Sequence, residues 1–170
     1  MLLQSDKLEL RAIEYSDGEA IMNILTAPTV VDCLFGFVVK ALEMEFADWL
    51  VSAAHRKNEF YFTITQRHSA EVVGICAYQD IDYRNGRITI WAASLSDKHQ
   101  VLALLAFNAF EHLRMEHVAL FCLFDDTDMI KAAESAGFTR DAIFYSRIKK
   151  SGKSTDVLVY TLLKGEEGDA

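Results

Sequence analysis

The stretch Ala92–Leu113, AASLSDKHQVLALLAFNAFEHL, constrains this chain more than any other. It reads as the end of a strand, a short polar turn, and then a helix that is apolar on nearly every side. A helix of that kind belongs inside a domain, packed on both flanks. A strand that runs straight into a helix N-terminus is also an anion site in many α/β proteins, because the first N–H groups of the helix lack intrahelical partners. Asp97 is the natural N-cap, and Gln100, at the third helical position, completes a capping box.

The rest of the chain builds a sheet around this unit. Lys7–Ala12 alternates Leu8 and Leu10 with charged neighbours, as a half-buried strand does. Ser16 and Glu19 have capping-box spacing, so a helix is expected from Asp17, with Ala20, Ile21, Ile24 and Leu25 inward and Pro28 ending it. Thr29–Val39 reads as an irregular segment. Ala41–Lys57 reads as a second helix, with Leu42, Phe46, Trp49, Leu50 and Ala53 at helical spacing. Three strands follow, Glu59–Gln66, Glu71–Asp80 and Arg87–Ala93, the last two joined by the Asn85-Gly86 hairpin signal.

The apolar helix spans about Lys98–Arg114. The run Glu116–Phe124 after it is apolar enough for a strand covered on both faces. Asp126–Ala136 is a short helix with Gly137 as its left-handed terminator. Phe138–Lys149 and Ser154–Leu163 are two final strands about the Ser151-Gly152 turn. A strand–helix–strand crossover between hairpins implies one parallel pair in a mixed sheet. The expected fold is a single α/β (α+β) domain, a seven-stranded mixed sheet flanked by four helices. It covers residues 1–164, with 165–170 a frayed acidic tail.

Composition narrows the function. At 170 residues, 51% hydrophobic, the chain is long enough for one sizeable core. A net charge of −8 argues against nucleic acid as a partner and suits an amine substrate. Cys33, Cys76 and Cys122 are scattered, with no CxxC pair, so neither a zinc site nor a disulfide framework is indicated. No basic, apolar leader opens the sequence and no run approaches a membrane span, so a cytoplasmic location is expected.

The order of elements resembles the GNAT superfamily of N-acetyltransferases, in particular the branch that acetylates ribosomal-protein N-termini. The resemblance rests on KLELRAIEYSDGEAI, on VVGICAYQDIDYRNGRITIWAA, and on AAESAGFTRDAIF followed by VLVYTLL. Glu134-Ser135-Ala136-Gly137-Phe138 matches the family segment EKxGF. The resemblance implies acetyl-CoA as cofactor, held by the strand end Ala92, Ala93, Ser94 and Leu95, by Gln100 and Val101 at the pyrophosphate motif, and by Asp126. It implies an amine acceptor, either a small molecule or a protein N-terminus.

Three departures stand out, one of them Asp126, near where the family often has an asparagine touching the cofactor. After Gln100 the glycine segment of the family motif is missing, a gap of about seven residues or two helical turns. Asp97 then places a negative charge where a diphosphate should sit, against a helix-end effect of only about 1 kcal/mol. The tyrosine that many members place four residues before the EKxGF glycine is Ala133 here.

Acetyl transfer needs a neutral amine, a polarised carbonyl and a route for two protons. Tyr145 is the candidate catalytic acid, with Tyr78 beside it as a second tyrosine. Phe35 and Asp80 are candidate substrate contacts. His99 stands at the mouth of the altered turn, and no metal site is expected. The primary expectation is an N-acetyltransferase moving acetyl from acetyl-CoA to a primary amine. The alternative is a degenerate GNAT-like domain that no longer binds coenzyme A and serves as a binding or assembly module. A homodimer is a possible assembly, and neither nucleic acid nor membrane is an expected partner.

Overall fold

The computed structural model describes residues 2–34, 44–95, 97–150 and 152–165. Eight strands form one sheet: β1 (Leu3–Gln4), β2 (Leu8–Ala12), β3 (Phe60–Gln66), β4 (Val72–Asp82), β5 (Arg87–Ser94), β6 (His117–Leu123), β7 (Thr139–Lys150) and β8 (Lys153–Leu163). Their order across the sheet is β1-β2-β3-β4-β5-β6-β8-β7. Among the described residues every neighbouring pair is antiparallel except β5 and β6. The helices are α1 (Gly18–Leu25), α2 (Pro28–Val31), α3 (Phe46–Ala54), α4 (Lys98–Glu111) and α5 (Thr127–Ser135).

The sheet has a core on each face. On one, Val101, Leu102, Leu105, Ala109 and Phe110 of α4, with Met129 and Ala133 of α5, pack on Ile88, Ile90, Ala92, Val118 and Leu120. On the other, Ile21, Ile24 and Leu25 of α1 and Trp49 of α3 pack on Tyr61, Ile75, Ala77, Trp91 and Ala93. Alternation along β5 feeds both cores, since successive side chains of a strand point to opposite faces. Gly18 allows α1 and α3 to meet: a Cβ there would stand 2.5 Å from the Phe46 ring.

Several expectations needed correction. The sheet has eight strands rather than seven, because the two-residue β1 is too short to show periodicity. Five helices replace four, because Pro28 does not merely end α1. It takes the first position of α2, where a missing N–H costs nothing. The Ser16–Glu19 box does not form; instead the Glu14 amide donates to the Asp17 carboxylate at 2.9 Å, and α1 starts at Gly18 after a 3-10 turn. β6 is buried along one face, at Val118, Leu120 and Cys122, and partly covered along the other, where Ala119 and Phe121 are half-buried and Leu123 is buried. The main contacts of α1 and α3 lie on β3, β4 and β5. α4 is likewise not buried all round, since Phe107 is 56% exposed and meets only the edge of His112. The expected Ala41–Lys57 helix is shorter: α3 begins at Phe46, after an extended Glu45, and ends at Ala54. Phe35, Ser96, Ser151, residues 41–43 of that expected helix and the tail beyond residue 165 lie outside the described residues.

A buried ionic network fixes the entry to α1. Asp17, 4% exposed, takes two hydrogen bonds from the Arg11 guanidinium (2.7 and 2.8 Å) and one from the Thr63 hydroxyl (2.7 Å). Burial alone would raise the Asp17 pKa. The Arg11, Thr63 and Glu14 hydrogen bonds outweigh it and hold the carboxyl below its ordinary value.

Removing one partner of such a pair leaves the other uncompensated. Asp17→Asn is therefore expected to lower stability by on the order of 3 kcal/mol, measured by urea unfolding at pH 7. Because the folded-state pKa is depressed, the Asp17 contribution is complete above the ordinary aspartate value of about 3.9 and is lost as pH falls below it. The gap between wild type and Asp17→Asn should narrow over that acidic range.

Candidate active site

β5 and β6 pair in parallel from Arg87 and His117 as far as Ile90 and Leu120, and then part. The remainder of β5, Trp91–Ser94, keeps β4 on one side, where Ala77, Cys76, Ile75 and Gly74 face it in turn. The Leu95 amide also turns to β4, donating to the Val73 carbonyl at 2.9 Å. Backbone groups alternate between the two edges of a strand, so the amides of Ala92 and Ser94 turn the other way, toward β6. The ladder to β6 has ended by then, and the Ala92 amide faces a gap.

Gly74 holds the strand end in place. A Cβ at this position would stand 2.5 Å from the Ala93 carbonyl oxygen and 2.9 Å from the Ser94 Cα. Neither backbone atom can yield without moving β5.

The gap is a narrow slot of about 20 Å³, walled by Trp91–Ser94 on one side and by Phe121, Cys122 and Asp126 on the other. Thr29, Val30, Cys33 and Leu34 close it from the α2 side, and Lys98 and Met129 from the α4 and α5 side. It adjoins an open cavity of about 510 Å³ that shares Thr29, Val30, Ser94 and Lys98 and adds Leu95, Asp97, His99, Asp128, Lys131 and Ser135. A thin extended chain suits the first space and a bulkier, charged group the second.

α4 begins at once. β5 ends at Ser94 and α4 starts at Lys98, so residues 95–97 alone connect them. The Asp97 carboxylate caps the helix, accepting the Gln100 amide at 3.3 Å and the Gln100 side-chain amide at 3.2 Å. Asp126 caps α5 in the same way, accepting the Met129 amide at 3.0 Å.

Of the residues expected at the site, the structure brings Ala92, Ala93, Ser94 and Asp126 to the slot and Leu95 to the open cavity. It does not bring Gln100 or Val101. Val101 is fully buried in the core, and Gln100 is turned from the cavity, held by Asp97 and by the Ser5 hydroxyl at 3.1 Å. Tyr145 is not among the residues lining slot or cavity. It is 75% exposed on β7, beside a separate shallow depression with Arg140 and Ile143. Tyr78 is buried, donating to the Leu105 carbonyl at 2.8 Å and accepting from Asn108 at 2.9 Å, and burial pushes its pKa up. Asp80 sits near the far end of β4, exposed and in a left-handed conformation (φ 50°) at a bulge.

Residues that sequence reasoning missed include Thr29, Cys33 and Lys131. Lys131 had a signal: Asp128, Lys131 and Ser135 share one helical face at spacings of three and four. Cys33 and Cys122 both line the slot, but burial raises their thiols to about 11 and about 12, with Asp126 adding to the effect on each. They are protonated at neutral pH and are not nucleophiles. Among the described residues no group of His, Cys, Asp and Glu could hold a metal ion.

The described residues thus build a sheet split between two parallel strands, with an outward-facing amide on one lip and a cavity at a helix start beside it. The comparisons name the class. The model of the acetyltransferase (GNAT) domain matches residues 7–139, and the chain belongs to this family. A curated relative, the uncharacterized N-acetyltransferase p20 of Bacillus licheniformis, is 24% identical over 96% of this chain and 97% of its own. Solved structures share the fold. A GCN5-related N-acetyltransferase from Brucella melitensis superposes with a TM-score of 0.81 at 20% identity, over 98% of this chain and 80% of that one. The spermidine N-acetyltransferase of Vibrio cholerae, in complex with CoA and spermine, does so with a TM-score of 0.83 at 15% identity, over 96% and 99%.

The Gly74 contact yields a direct test. Gly74→Ala should displace the Ala93–Ser94 end of β5 and lower the melting temperature by several degrees, as overpacking of about 1–3 kcal/mol does. Ile75→Val, next to it in the opposite core, should cost only about 1 kcal/mol. Thermal melts of the two variants, read side by side, check the difference.

Proposed function

We propose that the protein transfers an acetyl group from acetyl-CoA to a primary amine, carried by a small molecule or by a protein N-terminus. The observation that supports this best is the Ala92 amide facing the gap between β5 and β6. Acetyl-CoA supplies an activated acetyl thioester. The Trp91–Ser94 edge offers its extended arm the backbone partners that a strand would otherwise provide. The Ala92 N–H is the donor suited to the thioester oxygen, where negative charge grows as an amine attacks. In the transfer, the amine nitrogen forms a C–N bond to the acetyl carbon as the C–S bond breaks. The nitrogen loses a proton and the departing sulfur gains one.

Family membership supports the enzyme reading over the binding-module alternative. Amine acetylation also agrees with the spermidine enzyme of Vibrio cholerae among the structural neighbours. The resemblance to the ribosomal-protein branch adds protein N-termini as acceptors to test. Among the described residues no helix is long and apolar enough to cross a membrane.

The proposal predicts a stability gain with ligand. Acetyl-CoA at a hundred times its dissociation constant should stabilise the fold by about 2.7 kcal/mol, seen as a rise in melting temperature. Incubated with acetyl-CoA and a panel of amines and N-terminal peptides, the protein should release free CoA thiol only when an acceptor is present. No thermal shift at millimolar acetyl-CoA and no thiol release with any acceptor would sink the reading.

A further inference from the structure

The open cavity beside the slot has an unusual electrostatic make-up for a site that is to hold a diphosphate. No glycine occurs in the three-residue connection at 95–97, so no glycine turn lets backbone amides crowd round a phosphate there. The Asp97 carboxylate already takes the Gln100 amide. What the cavity offers instead is side chains: Lys98 and His99 from the start of α4, and Lys131 from α5. Neither Lys98 nor Lys131 is held in an ion pair among the described residues.

The geometry points to a side-chain anion clamp: Lys98 and Lys131 grip the diphosphate of CoA from two helices, in place of backbone amides at the start of α4. This rests on the acetyl-CoA reading above. Lys98 borders both the slot and the open cavity, where the arm of the ligand joins its phosphates. Lys131 lines the same cavity from α5, and an ammonium on a flexible four-carbon stem serves as a point charge for phosphate. The cavity also holds two carboxylates, Asp97 and Asp128. Asp97 is tied down by both nitrogens of Gln100, so its charge is partly answered where it stands. Asp128 lies in the first turn of α5, where the helix dipole answers it. The lysines have no such fixed partner and are left to meet an incoming anion.

Calorimetric titration of the full chain with CoA, with 3′-dephospho-CoA and with pantetheine, which has the arm but no phosphate, tests the clamp. The wild type, Lys98→Gln, Lys131→Gln and the double variant are compared at low and moderate salt, with thermal melts to confirm folding. The double variant should weaken CoA and 3′-dephospho-CoA at least tenfold and pantetheine far less, since Lys98 borders the slot as well as the open cavity. Its CoA affinity should also depend less on salt. Asp97→Asn should tighten CoA. Unchanged CoA affinity in the folded double variant would overturn the clamp while leaving the acetyl-transfer reading intact. A loss confined to CoA and absent with 3′-dephospho-CoA would overturn it too, by assigning the lysines to the 3′-phosphate. If the wild type bound neither CoA nor pantetheine, the acetyl-transfer reading itself would fall and the clamp with it.

Discussion

The site depends on a pairing that stops. β5 and β6 share a parallel ladder for four residues, Arg87–Ile90 against His117–Leu120, and no further. Up to that point both strands are ordinary sheet. Beyond it β5 keeps its other neighbour, so Trp91–Ser94 stays extended and rigid while one of its edges is left unladdered. An unpaired strand edge inside a protein is costly unless something satisfies it. Here the group concerned is the Ala92 amide, which faces a slot walled by α2, α4 and α5, where the arm of the proposed acetyl-CoA would lie.

What keeps the edge in position is packing on three sides. Gly74 lets β4 lie close behind β5 with no side chain between them. Ile90 and Ala92 anchor the strand to α4 on one face, and Trp91 and Ala93 anchor it to α1 and α3 on the other. The Arg11–Asp17–Thr63 network sets where α1 begins. By fixing α1 it also fixes α2 behind it, whose Thr29 and Val30 form a wall of the slot. A charge network far from the cleft in sequence thus helps to shape it.

Much of this architecture was legible in the sequence. Periodicity located β2 to β8, α1, α3, α4 and α5 to within a few residues, because each carries enough apolar positions to show a repeat. β1 and α2 are too short for that, and they account for the difference in element count. Pro28 was misread because proline disfavours the middle of a helix and favours its first turn, and only tertiary context distinguishes the two. The site was legible in part. Ala92, Ala93, Ser94 and Asp126 were implied by the family resemblance, and the structure places them around the slot. Gln100 and Val101 were expected at the cavity from motif position. Val101 instead joins the buried stripe of α4, and Gln100 is held by Asp97 and Ser5. Lys131 comes from a helix thirty residues later, so only the fold brings it to the same cavity as Lys98.

The protonated state of Cys33 has a chemical consequence. A thioester readily exchanges with a neighbouring thiolate, and an enzyme that brings one to a cysteine-lined opening risks acylating itself. With its pKa raised to about 11 by burial and by Asp126, the Cys33 sulfur is an anion in fewer than about one molecule in a thousand at neutral pH. Under the proposed acetyl transfer, the same environment that disarms this side chain as a nucleophile leaves the activated acyl group without a wasteful internal acceptor at Cys33.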